Sequence, residues 1–158
     1  MAAVVEPGQP APEFSLESDQ GGRVSLADLR GKPVVLYFYP KDDTPGCTTQ
    51  ACDLRDAWTE FERRGATVLG VSPDSIDSHE EFSKKFSLPF PLLADPDHAV
   101  AEAYGAWGEK KNYGRTYKGI IRSGFVIGPD GTLAAAKRNV KADRHRKWAL
   151  AELDRLAG

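Results

Sequence analysis

Two cysteines, one methionine and three histidines are all the thiol, thioether and imidazole groups in this 158-residue chain, and that scarcity removes several classes of function at once. A structural zinc site takes four Cys or His ligands at set spacing, and no histidine neighbours Cys47 or Cys52, so neither a metal nor another cofactor is expected. No run approaches the roughly 20 apolar residues that span a bilayer. The opening Met1-Ala2-Ala3-Val4-Val5-Glu6-Pro7 lacks the basic start and long apolar stretch of a signal peptide, which gives a cytoplasmic reading. Neither charge sign dominates: the net charge of -2 offers no strong pull toward nucleic acid or an anionic membrane. Repeats, low-complexity tracts and interdomain linkers are also missing, so residues 1–158 read as one domain. In a reducing compartment a permanent disulfide is disfavoured, and a cysteine pair there is more often metal-binding or redox-active. With metal set aside, redox chemistry is the better reading, against the alternative of two inert, buried cysteines serving as small apolar residues.

The chain is punctuated clearly. Phe14 and Leu16 alternate with polar residues, Asp19-Gln20-Gly21-Gly22 offers a turn, and Arg23-Val24-Ser25-Leu26 resumes, which reads as an N-terminal β-hairpin. Val34–Tyr39 is apolar on both faces, the mark of a central strand covered on both sides. A helix is expected from Pro45 to Gly65, a strand over Thr67–Val71, an amphipathic helix over Ile76–Phe86, a short strand at Leu92-Leu93 and a short helix over Asp95–Tyr104. A polar, basic loop, Glu109–Lys118, then precedes a long strand, Gly119–Ile127. Thr132–Lys137 pairs back as a hairpin, and Asp143 caps a last helix with Trp148, Ala149, Leu153 and Leu156 on one face. The order gives an α/β layered fold: a mixed central β-sheet flanked by helices on both faces.

The chemistry concentrates where Val34–Tyr39 empties through Pro40-Lys41-Asp42-Asp43-Thr44 into Pro45-Gly46-Cys47-Thr48-Thr49-Gln50-Ala51-Cys52. Thr44 suits an N-cap and Pro45 the first helical position, whose N–H has no partner in any case. Cys47 then lies in the first turn, where the unpaired N–H groups and the helix dipole favour a negative sulfur. Helical residues five apart are about 8–9 Å apart between Cα atoms and on different faces. A disulfide needs Cα atoms within about 7 Å. Cys47 and Cys52 therefore cannot bond while both stay helical.

Pro40-x-x-x-Thr44-x-x-Cys47 resembles the active-site motif of the peroxiredoxins. The longer run from Tyr39 to Asp56 resembles the bacterioferritin-comigratory / peroxiredoxin Q branch, as do Val68–Ser72, Trp107–Lys110 and Gly119–Ile127. The resemblance implies a thioredoxin-like fold and a thiol peroxidase acting on hydrogen peroxide and organic hydroperoxides, monomeric and reduced by thioredoxin. It makes Cys47 the peroxidatic nucleophile and Cys52 the resolving thiol. Thr44 is expected to hydrogen-bond the thiolate and peroxide, Pro40 to shield the pocket from water, and Arg122 to supply a cation beside the sulfur. Gly124, where relatives often carry a hydroxyl or small side chain, and Gly128, where many carry Asp, depart from the pattern. A general thiol–disulfide oxidoreductase and a peroxide sensor on the same fold remain as alternatives; the absence of Cys-x-x-Cys counts against the first.

His79, His98 and His145 read as surface or capping residues, and Trp58, Trp107 and Trp148 as packing residues. The Glu109–Lys118 segment, with Tyr113 and Tyr117, reads as a solvated loop rimming the site. Gln50, between the two cysteines, reads as an exposed helix residue, with a role in tuning the turn that opens as the sharper alternative.

Overall fold

A run of β-branched and aromatic residues with no polar break makes Val34–Phe38 (β3) the buried middle of the molecule, all five residues inaccessible to solvent. The computed structural model describes residues 4–158. β3 pairs in parallel with Thr67–Ser72 (β4) and antiparallel with Ser123–Ile127 (β8), placing Tyr37 level with Gly70 on one side and Gly124 on the other. The hairpin of Ser15–Ser18 (β1) and Arg23–Ser25 (β2) turns through Gly21 and Gly22, both at positive φ, and joins the sheet at Leu92–Ala94 (β5). Leu133–Arg138 (β9) closes the other edge on β8, giving seven strands in the order β2-β1-β5-β4-β3-β8-β9, a mixed sheet as expected.

Alternation along β3 divides the apolar interior in two. Val35, Tyr37 and Tyr39 face a cluster that receives Cys47, Ala51 and Leu54 of helix α1 (Pro45–Asp56), Phe61 of α2 (Trp58–Arg63), Phe82 of α3 (Ile76–Phe86) and Ala149 and Leu153 of α5 (His145–Ala157). Val34, Leu36 and Phe38 face a second cluster containing Phe14, Leu26, Tyr104 and Ala101 of α4 (Ala99–Ala103). Trp58 and Trp148 pack on the first cluster and Trp107 on the second, as packing residues should.

Four expectations are corrected. The helix from Pro45 does not run unbroken to Gly65: Ala57, at φ -100 and ψ 15, ends α1 and starts α2. Glu109–Lys118 is not an irregular loop, because Trp107–Asn112 (β6) and Arg115–Ile120 (β7) pair as a separate hairpin turning at Tyr113 and Gly114. The strand expected over Gly119–Ile127 is interrupted at Ile121-Arg122, where it passes from that hairpin to β8. Asp143 does not cap α5; residues 141–144 form a turn closed by the Arg144 N–H on the Lys141 carbonyl, and the helix starts at His145.

Candidate active site

Pro45 occupies the first turn of α1 and Thr44 the N-cap position, with extended φ and ψ, as the residue types require. The Thr44 hydroxyl makes no cap: it donates to the Lys41 carbonyl at 2.8 Å, so this side chain braces the loop. Cys47 follows in the first turn, 1% exposed. Cys52 lies on the same helix, half-buried, and both thiols are free. The sulfurs therefore occupy one intact helix, the arrangement in which they cannot reach each other.

Arg122 comes from the interruption between β7 and β8, 75 residues after Cys47, and its Nη2 lies 3.5 Å from Cys47 Sγ. Its Nη1 donates to Gln50 Oε1 at 2.5 Å. One planar guanidinium thus spans two residues on successive turns of α1, as its fixed fork of donors allows. Gly46 makes room for it: a Cβ there would sit 2.9 Å from Nη2. Gln50 is fully buried, contrary to its reading as an ordinary exposed helix residue, because it faces Arg122.

Pro40 and Arg122 line an open pocket of about 490 Å³ with Glu109, Lys110, Lys111, Ile121, Asn139 and Val140. The β6–β7 hairpin therefore rims the site, as expected of that segment, though as paired strands. Lys110 is the residue that sequence reasoning left without a part. Its ammonium donates to the Ile120 carbonyl at 2.8 Å, and burial together with the neighbouring Arg122 charge lowers its pKa from the ordinary lysine value.

The histidine expectation holds only for His98, a partly exposed ring stacked 3.7 Å from Trp107 beside Glu102. His79 and His145 are fully buried. His145 packs 5.3 Å from Tyr37, over Gly124, where a Cβ would come within 2.5 Å of its Nε2. Burial, and secondarily Arg122, lowers its pKa to about 3, so it is neutral. Both its nitrogens, Gln50 Nε2 and Tyr37 Oη are buried with no hydrogen-bond partner among the described residues. Gly124 thus has a local reason in this chain: it is the space for an imidazole. Among the described residues no cluster of three His, Cys, Asp or Glu side chains is placed to hold a metal ion, and no helix is long and apolar enough to cross a membrane.

The AhpC/TSA family matches residues 7–136. Peroxiredoxin Bcp of Bacillus subtilis is 50% identical over 149 residues, 94% of this chain and 95% of that protein. The chain belongs to the peroxiredoxins. Among solved peroxiredoxin structures, peroxiredoxin Q of Xanthomonas campestris superposes with a TM-score of 0.87 at 41% identity, covering 92% of each chain. The bacterioferritin comigratory protein of the same organism, described for its alkyl peroxide reduction activity, superposes with a TM-score of 0.89 at 38% identity, covering 97% of this chain and all of that one. The Bcp / peroxiredoxin Q branch and its thioredoxin-like fold are thereby shown, and this peroxiredoxin is a thiol peroxidase.

Proposed function

We propose that this peroxiredoxin reduces hydrogen peroxide and organic hydroperoxides through Cys47, with Cys52 as the resolving thiol and a thioredoxin-type dithiol as reductant, acting as a cytoplasmic monomer. The observation that carries the reading is the Arg122 Nη2 to Cys47 Sγ distance of 3.5 Å at a helix N-terminus. The Cys47 thiolate attacks one peroxide oxygen; the O–O bond breaks, Cys47 becomes the sulfenic acid, and the alkoxide takes a proton to leave as water or alcohol. The Cys52 thiol then attacks the sulfenic sulfur, releasing water and forming the disulfide, and the external dithiol reduces it by exchange.

Complete ionisation of a thiol that is a few per cent thiolate at neutral pH gains only about 30-fold, or about 2 kcal/mol. Most of the acceleration must then come from donors aimed at the peroxide oxygens as the bond breaks. Arg122 is placed for this. Pro40 borders the same pocket and keeps an apolar surface at its edge. Thr44 enters the chemistry only if its hydroxyl turns from Lys41 toward the bound peroxide.

Stopped-flow mixing with one equivalent of peroxide should oxidise Cys47, and Cys47→Ser should abolish turnover; full activity in that variant would overturn the assignment. Insulin reduction without peroxide separates a general oxidoreductase from a peroxidase. A mixed disulfide trapped in Cys52→Ser with a protein other than thioredoxin would mark a sensor.

A further inference from the structure

His79, on the inner face of α3, is completely buried, and both of its ring nitrogens face acceptors. Nδ1 lies 2.6 Å from Asp42 Oδ2, and Nε2 lies 3.0 Å from the Leu93 carbonyl. With Asp42 ionised, neither its oxygen nor the Leu93 carbonyl can donate, so both ring nitrogens donate; the Tyr39 hydroxyl, 3.4 Å from Nδ1, gives its own proton to Asp42 Oδ1. Asp42, its side chain only 2% exposed, also accepts from Tyr39 Oη at 2.5 Å and from Ser78 Oγ at 2.8 Å. Three donors on two oxygens is what an ionised carboxylate accommodates. The Asp42 N–H in turn donates to Asp74 Oδ2 at 2.7 Å. Main chain and side chain are thus both fastened at Asp42, to α3 and to the segment that precedes it.

One residue later the hold weakens. Asp43 has φ 58, uncommon for a residue with a side chain, and its only ion pair among the described residues is with Lys85, 2.7 Å away and largely exposed, the kind worth little. Thr44, Pro45 and the helix with both cysteines follow.

We propose that Asp42 and His79 form a buried ion pair that marks the fixed end of the segment opening during turnover, a positioning pair that holds Pro40 and its loop in place while α1 unwinds about Asp43. This rests on the reading that α1 must open for Cys47 to meet Cys52.

Hydrogen exchange by mass spectrometry on the full chain, reduced and peroxide-oxidised, separates the two ideas. Amides of residues 45–54 should exchange at least 100-fold faster in the oxidised form, and those of residues 38–42 by less than threefold. Loss of protection through both segments overturns the fixed end and leaves the opening of α1 intact; no change in either overturns the opening itself. Independently, ¹⁵N NMR of the imidazole should show two protonated ring nitrogens on His79 at pH 7, and a neutral ring overturns the ion pair. Asp42→Asn should remove one of those protons, spread the exchange into residues 38–42 by tenfold or more, and lower kcat/KM for peroxide about tenfold. A purely structural role would leave the ring's protonation unchanged. If that variant fails to fold, the two measurements on the unsubstituted protein decide the matter.

Discussion

Arg122 holds two contacts that a lysine could not hold together, one to Gln50 Oε1 and one to Cys47 Sγ. Arg122→Lys should therefore lower kcat/KM for peroxide by about 100-fold, the usual scale for losing one donor to a developing oxyanion, with little change in thermal stability. A fall under threefold in steady-state assays would remove the guanidinium from the mechanism. Gly46→Ala probes the same geometry from the helix side. The new methyl would meet Nη2 at 2.9 Å, so peroxide turnover should fall about tenfold while the helix gains up to about 1 kcal/mol from the better propensity of alanine. Activity and denaturation midpoint moving in opposite directions is the expected signature. Cys47, Cys52, Thr44, Pro40 and Arg122 were legible in the sequence through a motif and a resemblance. The burial of His79 and His145 was missed, since both read from the sequence as surface or capping residues; the signal that could have found it is their spacing from Phe82 and Phe86 and from Ala149 and Leu153 on one helical stripe. The space opposite His145 at Gly124 was not readable, because it depends on strand register across 21 residues of chain.

At the scale of elements, α1 is the one whose stability ought to matter for rate. Thr49 is exposed on this helix, and Thr49→Ala should stabilise it by about 0.5 kcal/mol. If the disulfide forms only from the opened helix, its formation after sulfenic acid should slow by roughly twofold while the first, peroxide-dependent phase is unchanged. Stopped-flow tryptophan fluorescence resolves the two phases, and slowing of the first instead of the second would count against the switch. The lengths and types of most elements followed from period and punctuation; α3 spans Ile76–Phe86 as expected. The break at Ala57 did not, since neither Gly nor Pro marks it and the Ala57 N–H still reaches the Asp53 carbonyl at 3.2 Å. The β6–β7 hairpin escaped because its charged, exposed faces carry no apolar alternation, and its pairing is closed by Tyr113 and Gly114 at positive φ.

For the molecule as a whole, acid sensitivity has an identifiable source. His145 is neutral in the folded state with its pKa lowered to about 3, whereas an unfolded chain protonates it near pH 6.5. Between those values the unfolded state binds the extra proton, so stability falls as pH drops through this window, by up to about 1.4 kcal/mol per pH unit. Asp19 and Asp95, whose carboxyls are raised by burial, act in the opposite sense. Comparison of denaturation midpoints from pH 6 to pH 4 isolates the histidine: His145→Leu should lose about one proton's worth of slope, and identical slopes would refute the assignment. The layered fold itself was readable because Val34–Phe38 has no polar face, but its two sides are not equivalent. Val35 and Tyr37 pack with the cysteine helix, and Val34, Leu36 and Phe38 pack with α4 and the N-terminal segment. If α1 opens once per catalytic cycle, the first side is exposed far more often than the second, which opens only with the whole fold. Wear, in the form of misfolding, proteolytic nicking and over-oxidation, should then accumulate on that side, with the opposite half left as the surface on which the opened helix refolds.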